Sequence, residues 1–226
     1  MNETVIVIMA KQPQIGKTKT RLYPTLSAQE TVGLYQALLL DTLALVSNLP
    51  WADLAVAISP LESRPYFESI TPSGTLLLPV EGQNIGDCLA QAMELALGMG
   101  FRKALALNSD GPSLPPKYLE QAAAYLDQTD VVLGPGDDGG YYLVGMSHPH
   151  AAIFNGIAWS TEHVLSQTLE RAAELGLRTA ITPQWYDVDT PADLLRLQEE
   201  LEILSPDQLL HTRHFLAEFD LRSRLV

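Results

Sequence analysis

Lys11, Lys17, Lys19 and Arg21 crowd one segment, KQPQIGKTKTRL, around Gly16, in a chain of formal net charge −13 with only 14 lysine and arginine residues. Like charges held this close repel, so their concentration points to an anion that they share. The segment directly follows TVIVIMA (residues 4–10), an apolar run that reads as a buried parallel strand. The end of the first strand of an α/β sheet is where such folds bind ligands. The chemistry suggested is a grip on phosphates, those of a nucleotide in particular, with a solvated basic loop as the plainer alternative.

A second group of residues suits a divalent cation. Asp110 follows KALALNS (103–109), at the carboxyl end of a buried strand. A carboxylate there can hold magnesium, which takes one or two protein carboxylates and completes its shell with water and phosphate oxygens. The second carboxylate has to come from elsewhere in the chain. Asp187-Val188-Asp189 is suited to supply it, because it ends an extended segment just before a helix start at Thr190, and residues two apart on a strand share a face. The plainer readings are a turn residue before Gly111-Pro112 and a neighbour of a helix cap.

Two letter patterns mislead. The GKT of the first loop lacks a P-loop's leading glycine, since Lys11 stands there. Gly134-Pro135-Gly136-Asp137-Asp138-Gly139 matches GxGxxG but runs into the strand-like YYLVG, where a dinucleotide site needs a helix N-terminus. His148-Pro149-His150 has no further ligand pattern around it. His211 and His214 read as surface or packing residues, and Met93 and Met99 as helix packing.

The 226 residues suit one domain with a sizeable core. The single Cys88 has no partner for an internal disulfide, and the amino terminus has no signal-peptide pattern, so the chain reads as cytoplasmic. No apolar run approaches the roughly 18 residues of a membrane span. The acidic balance argues against a nucleic-acid partner, which needs a broad basic surface, whereas a small phosphorylated molecule needs only a local patch.

These residues require elements to position them, and the pattern supplies an alternation of strands and helices. Strands are expected at 53–59, 75–80, 103–109, 130–135, 141–146 and over RTAITP (178–183). Helices are expected from the capping box Ser27-Glu30 to Asn48, from about Gly86 to Met99, and from Pro115-Pro116 onward. Further helices are expected from Ser160-Thr161 to about Leu175, from Thr190-Pro191, and from Ser205-Pro206. The fold class is therefore α/β, with a mostly parallel sheet covered by helices on both faces and made mixed by the GPGDDGGYYLVG segment.

KQPQIGKTKTRL, NSDGPSLP, GPGDDGGYYLVG, GIAWST and YDVDTPADL, in this order over roughly residues 4–200, give the chain a resemblance to the GT-A-fold nucleotide-diphospho-sugar transferases. It is most similar to short bacterial proteins named glycosyltransferases, some linked by name to arsenosugar biosynthesis. It resembles phospholactate guanylyltransferase and the CMP-Kdo synthetases more loosely. The resemblance implies a single Rossmann-like GT-A domain over 1–226, with its core at about 4–200 and a C-terminal helical extension at about 205–226. It implies a transferase that uses a nucleotide sugar, magnesium or manganese and a small-molecule acceptor. The alternatives are a nucleotidyltransferase joining a nucleoside triphosphate to a phosphorylated acceptor, and a non-catalytic nucleotide-sugar sensor.

Carried over by residue, the resemblance puts Lys11, Gly16, Lys17, Lys19 and Arg21 on the nucleotide phosphates and Gln83 and Gly86 near the nucleoside. Asp110 and Asp189 become metal ligands, with Asp110 catalytic. Gly139, Gly140, Tyr141, Trp159, Ser160 and Thr161 would form the acceptor or sugar pocket, and Asp137 or Asp138 would bind the acceptor or act as base. The usual DxD acid pair is here Asn108-Ser109-Asp110, with one acid, which makes Asp189 the more necessary.

Overall fold

The computed structural model describes residues 2–218. Its centre is β1 (Thr4–Ala10), flanked by β2 (Ala52–Ile58) and β4 (Lys103–Leu107), both parallel to it. Beyond β2 lies β3 (Leu76–Pro79); beyond β4 come β6 (Tyr141–Met146), β5 (Val131–Pro135) and β7 (Thr179–Ile181), in the order β3-β2-β1-β4-β6-β5-β7. Only β6 runs antiparallel to its neighbours, so the glycine-rich segment makes the sheet mixed, as its sequence suggests. The chain builds outward from β1 in one direction, then returns to build on its other side. That reversal opens a crevice beyond the carboxyl ends of β1 and β4.

The helices are α1 (Ala28–Ser47), α2 (Arg64–Ile70), α3 (Ile85–Gly98), α4 (Pro116–Tyr125), α5 (Val164–Glu174), α6 (Pro191–Ile203) and α7 (Leu210–Ala217). Alternation along β1 sorts the core: Ile6 and Ile8 face Leu39 and Leu43 of α1, Phe67 of α2 and Leu119 of α4. Val5 and Val7 face Leu89, Ala92 and Met93 of α3 and Ala172 of α5. Both faces are thus buried, which is why the strand is apolar throughout. A third cluster joins Leu34 and Leu38 of α1 to Leu194 and Leu197 of α6 and Leu216 of α7, enclosing Leu22, Tyr186 and Val188. It anchors the two segments that carry the expected phosphate and metal groups.

Four expectations change. Helix α2 has no counterpart in the sequence reading: Ser63 precedes it with no side-chain cap bond, and its seven residues are too few to show a period. Helix α5 starts at Val164, not Ser160, because Ser160 sits at φ 64 and the chain turns before the helix begins. Ser205–Gln208 forms a turn rather than a helix start, and α7 begins only after Leu209, at φ 54. Met99 caps the exposed end of α3 and is not core, whereas Met93 is buried. The supposed C-terminal extension contributes α7 to the third cluster; the rest of that stretch, 219–226, lies outside the described residues. Among the described residues no helix is long and apolar enough to cross a membrane.

Candidate active site

After β1 the loop turns at Gly16, whose φ of 83 suits glycine. The amides of Lys17 and Thr18 donate to the Gln14 carbonyl at 3.1 Å, and Gln14 N donates to Thr18 Oγ1 at 2.8 Å. Downstream, the turn Thr20–Leu22 drives Leu22 into the third cluster, so the loop is pinned at both ends. Between these anchors Lys19 adopts φ 48, a conformation uncommon outside glycine. Its ammonium reaches Asp110 Oδ2 at 2.5 Å and Asp189 Oδ1 at 2.6 Å, with only 5% of the side chain exposed. Arg21 lies 3.8 Å from the other Asp189 oxygen and is well exposed. Burial by itself would lower the Lys19 pKa, but the two carboxylates outweigh it and hold the ammonium above its ordinary value.

Alternation brings the acids into place. Tyr186 and Val188 are buried in the third cluster, which leaves Asp187 and Asp189 for the opposite, crevice side. Val188 N donates to the Asp110 carbonyl at 2.9 Å and ties this segment to the end of β4. Asp193 then caps α6, accepting from Thr190 N at 2.7 Å and from Asp189 N at 3.1 Å. Asp187 accepts from Asn108 Nδ2, and its pKa is pushed up to about 8 by burial and by the nearby Asp110 and Asp189, despite the opposing pull of Lys19. On the far side of Lys19, Tyr35 of α1 bridges the strand ends. Its hydroxyl bonds Ser109 Oγ at 2.8 Å and accepts from Lys11 N at 3.3 Å, and its ring lies 5.9 Å from the Lys19 ammonium.

Two adjoining clefts result, with Met9 shared between them. The first, about 350 Å³, is lined by Lys11, Lys17, Lys19, Arg21, Asp110 and Asp189, together with Thr18, Thr20, Tyr35 and Ser109. All four expected phosphate-gripping cations and both expected metal ligands therefore meet in one place. The second, about 240 Å³, is lined by Asp138, Gly140, Tyr141, Trp159, Ser160 and Thr161, with Asn108, Asp187 and apolar residues of β4, β6 and α3. Trp159 and Tyr141 stand edge to face there, 6.4 Å apart at 78°.

Other expected site residues are placed differently. Asp137 lines neither cleft, and its oxygens are taken by Gln184 Nε2 at 2.8 Å and Arg196 at 2.7 Å; of the two acids only Asp138 lines the second cleft. Gln83 lies on the surface loop before α3, its amide donating to Asp87, and lines neither cleft. Gly86 does not line a cleft either: a Cβ there would collide with the Trp159 indole, so this glycine seats the wall of the second cleft. Gly139, at φ 84, lets the β5–β6 turn pack on the Glu162 backbone, and its carbonyl accepts from Leu165 N at 2.9 Å. Tyr35 and Ser109 were missed by sequence reading. Tyr35 looks like one more apolar position of α1, and only its proximity to the strand ends marks it.

The acid pair suits magnesium. Two carboxylates already converge on one cation, the Lys19 ammonium, with the second Asp189 oxygen 3.8 Å from Arg21. Among the described residues no set of three or more acidic, histidine or cysteine side chains forms a full cage, so the shell would need oxygens from a bound phosphate and water.

A mixed sheet of this order, with a cation loop and an acid pair at its switch point, places the chain among proteins of the nucleotide-diphospho-sugar transferase fold. It belongs to the family described as "Uncharacterized protein conserved in bacteria (DUF2064)", which matches over residues 42–161, between the cation loop and Asp189. A crystal structure from Desulfovibrio desulfuricans G20, of a protein provisionally assigned as a nucleotide-diphospho-sugar transferase, superposes with TM-score 0.88 over 99% of both chains at 28% identity. A 2-phospho-L-lactate guanylyltransferase of Methanothermobacter thermautotrophicus is 27% identical over 88% of this chain and 83% of its own length. A CMP:2-keto-3-deoxy-manno-octonic acid synthetase complexed with CTP shares the fold, with TM-score 0.52 at 14% identity over 88% and 98% of the two chains.

Proposed function

We propose that the protein is a nucleotide-utilising transferase that moves a nucleotidyl group from a nucleoside triphosphate to a phosphorylated acceptor. The observation that carries this reading is the charge gathered in the first cleft. Four cationic side chains face two carboxylates there, a surplus of two positive charges, which a magnesium ion held by Asp110 and Asp189 would raise to four. A nucleoside triphosphate carries about four negative charges and a nucleotide sugar about two, so the cleft would match the former once it held the metal. The 27% identical guanylyltransferase is consistent with the same chemistry.

In this reading an acceptor phosphate oxygen attacks the α-phosphorus. The bond from that phosphorus to the bridging oxygen breaks, and pyrophosphate leaves with the electron pair. Bound magnesium supplies charge neutralisation on the triphosphate. Lys11, Lys17, Lys19 and Arg21 hold the β- and γ-phosphates and meet the charge that develops on them as they depart as pyrophosphate. Because the attacking phosphate is already ionised, no general base is required.

Glycosyl transfer from a nucleotide sugar is the second reading, supported by the assignment of the 28% identical structural neighbour. The products separate the two. With magnesium and a set of phosphorylated acceptors, pyrophosphate is expected from one of the four nucleoside triphosphates, and only when acceptor is present. Release of nucleoside diphosphate from a sugar nucleotide, with no pyrophosphate from any triphosphate, would overturn the proposal.

A further inference from the structure

The two clefts differ in charge as sharply as two adjoining sites can. Every cation of the site lines the first; among the described residues, no lysine, arginine or histidine lines the second. The second cleft instead presents the Asp138 and Asp187 side chains, the rings of Tyr141 and Trp159, the Asn108 amide and the Ser160 and Thr161 hydroxyls. In the nucleotidyl reading, an acceptor reacting at the α-phosphate would place its phosphate beside the first cleft and its remaining body in the adjoining second one. From this division we infer that the acceptor's body, beyond the phosphate that reacts, is neutral or positively charged and carries no carboxylate or second phosphate. The inference rests on the nucleotidyl reading and narrows its substrate.

Backbone amides could still have welcomed an anion, because the N-terminus of α5 borders this cleft. The amides of His163, Val164 and Leu165 are engaged. Val164 N donates to the Thr161 carbonyl at 3.4 Å and Leu165 N to the Gly139 carbonyl at 2.9 Å. His163 N donates to Thr161 Oγ1 at 3.3 Å, and Gly140 N to Asp138 Oδ1 at 2.9 Å. A carboxylate entering here would meet the Asp138 and Asp187 side chains with no lysine, arginine or histidine of the described residues lining the cleft to offset it, and like charges placed together are unfavourable. A hydroxyl or ammonium group would instead find the Asp138 oxygens, beside the rings of Tyr141 and Trp159. This chain therefore differs in substrate from its guanylyltransferase relative, whose named acceptor, 2-phospho-L-lactate, carries a carboxylate next to its phosphate.

Three phosphomonoesters test the inference, since they share the reacting group and differ at the other end. The protein is first titrated calorimetrically with non-hydrolysable analogues of the four triphosphates and magnesium, then with 2-phospho-L-lactate, glycerol 3-phosphate and phosphoethanolamine. The hydroxyl-ended and ammonium-ended compounds are expected to bind at least tenfold more tightly than the carboxylate-ended one. Asp138→Lys is expected to reverse that order while keeping triphosphate affinity. Triphosphate binding followed by equal affinity, a preference for phospholactate, no acceptor binding at all, or an order unmoved by Asp138→Lys overturns the inference alone. Failure to bind any triphosphate overturns it together with the nucleotidyl reading.

Discussion

Lys19 stands where a metal would stand, and this gives one residue two competing partners. Its ammonium pairs with both Asp110 and Asp189; in the proposed reading it would turn to phosphate when nucleotide binds, while a divalent cation took the acid pair. Metal alone must displace a buried ammonium that has no other anion to meet, whereas metal bound to nucleotide brings that anion with it. The substitution Lys19→Met should therefore act in opposite directions on the two ligands. Manganese alone, followed by electron paramagnetic resonance, is expected to bind at least tenfold more tightly than to the wild-type protein. Magnesium triphosphate should bind at least tenfold more weakly, since a charge-assisted phosphate contact is worth about 1.5–3 kcal/mol. Unchanged manganese affinity would show that the ammonium does not compete. Sequence alone reveals the four cations as a group but not Lys19 as the one set apart. Its distinction comes from a left-handed backbone and from two acids distant in the chain, neither of which leaves a periodic trace.

At the scale of elements, legibility follows the source of each cap. Helices α1 and α6 start at capping boxes written within four adjacent residues, Ser27 to Glu30 and Thr190 to Asp193, and both starts are readable in the chain. Helix α7 carries no cap of its own. Its first amides are met instead by Asp41 of α1, a buried carboxylate that accepts from His211 N at 3.1 Å and Thr212 N at 2.8 Å. A cap borrowed from a residue 170 positions away has no local signature, so the sequence misplaces this start at Ser205. The arrangement also fixes what Asp41 is worth. Asp41→Ala removes the acceptor for two amides and the charge facing a helix N-terminus, and should cost about 1–2 kcal/mol. Chemical denaturation should show the midpoint falling at unchanged slope, with Asp41→Asn losing less. A midpoint that does not move would mean that α7 is held by Leu216 and its apolar neighbours alone.

At the scale of the molecule, alternating apolar runs and helical patterns make the α/β class and the mixed sheet legible, because each strand's burial is a property of its own residues. Strand order is another matter. Nothing local tells that β4 pairs with β1, or that the segment before α6 returns to the end of β4, yet these pairings build the site. The first cleft joins a loop at residues 11–21, the end of β4 and a segment 170 residues beyond Lys19, so a ligand there ties together parts of the chain that would separate on unfolding. Ligand binding and global stability are therefore linked. Magnesium triphosphate at about 100 times its dissociation constant should add about 2.7 kcal/mol, a rise in Tm of about 5–11 °C for a chain of this size. Asp189→Asn should lose most of that rise, because the substitution removes one of the two carboxylates proposed to hold the metal. The control is Asp130→Asn, the same loss of charge at an acid bound to Arg178, which lines neither cleft. It should lower the starting Tm slightly but keep the full ligand-induced rise. Equal rises in both variants would mean that the triphosphate binds without the acid pair, and the metal assignment would fall while the cation loop stood.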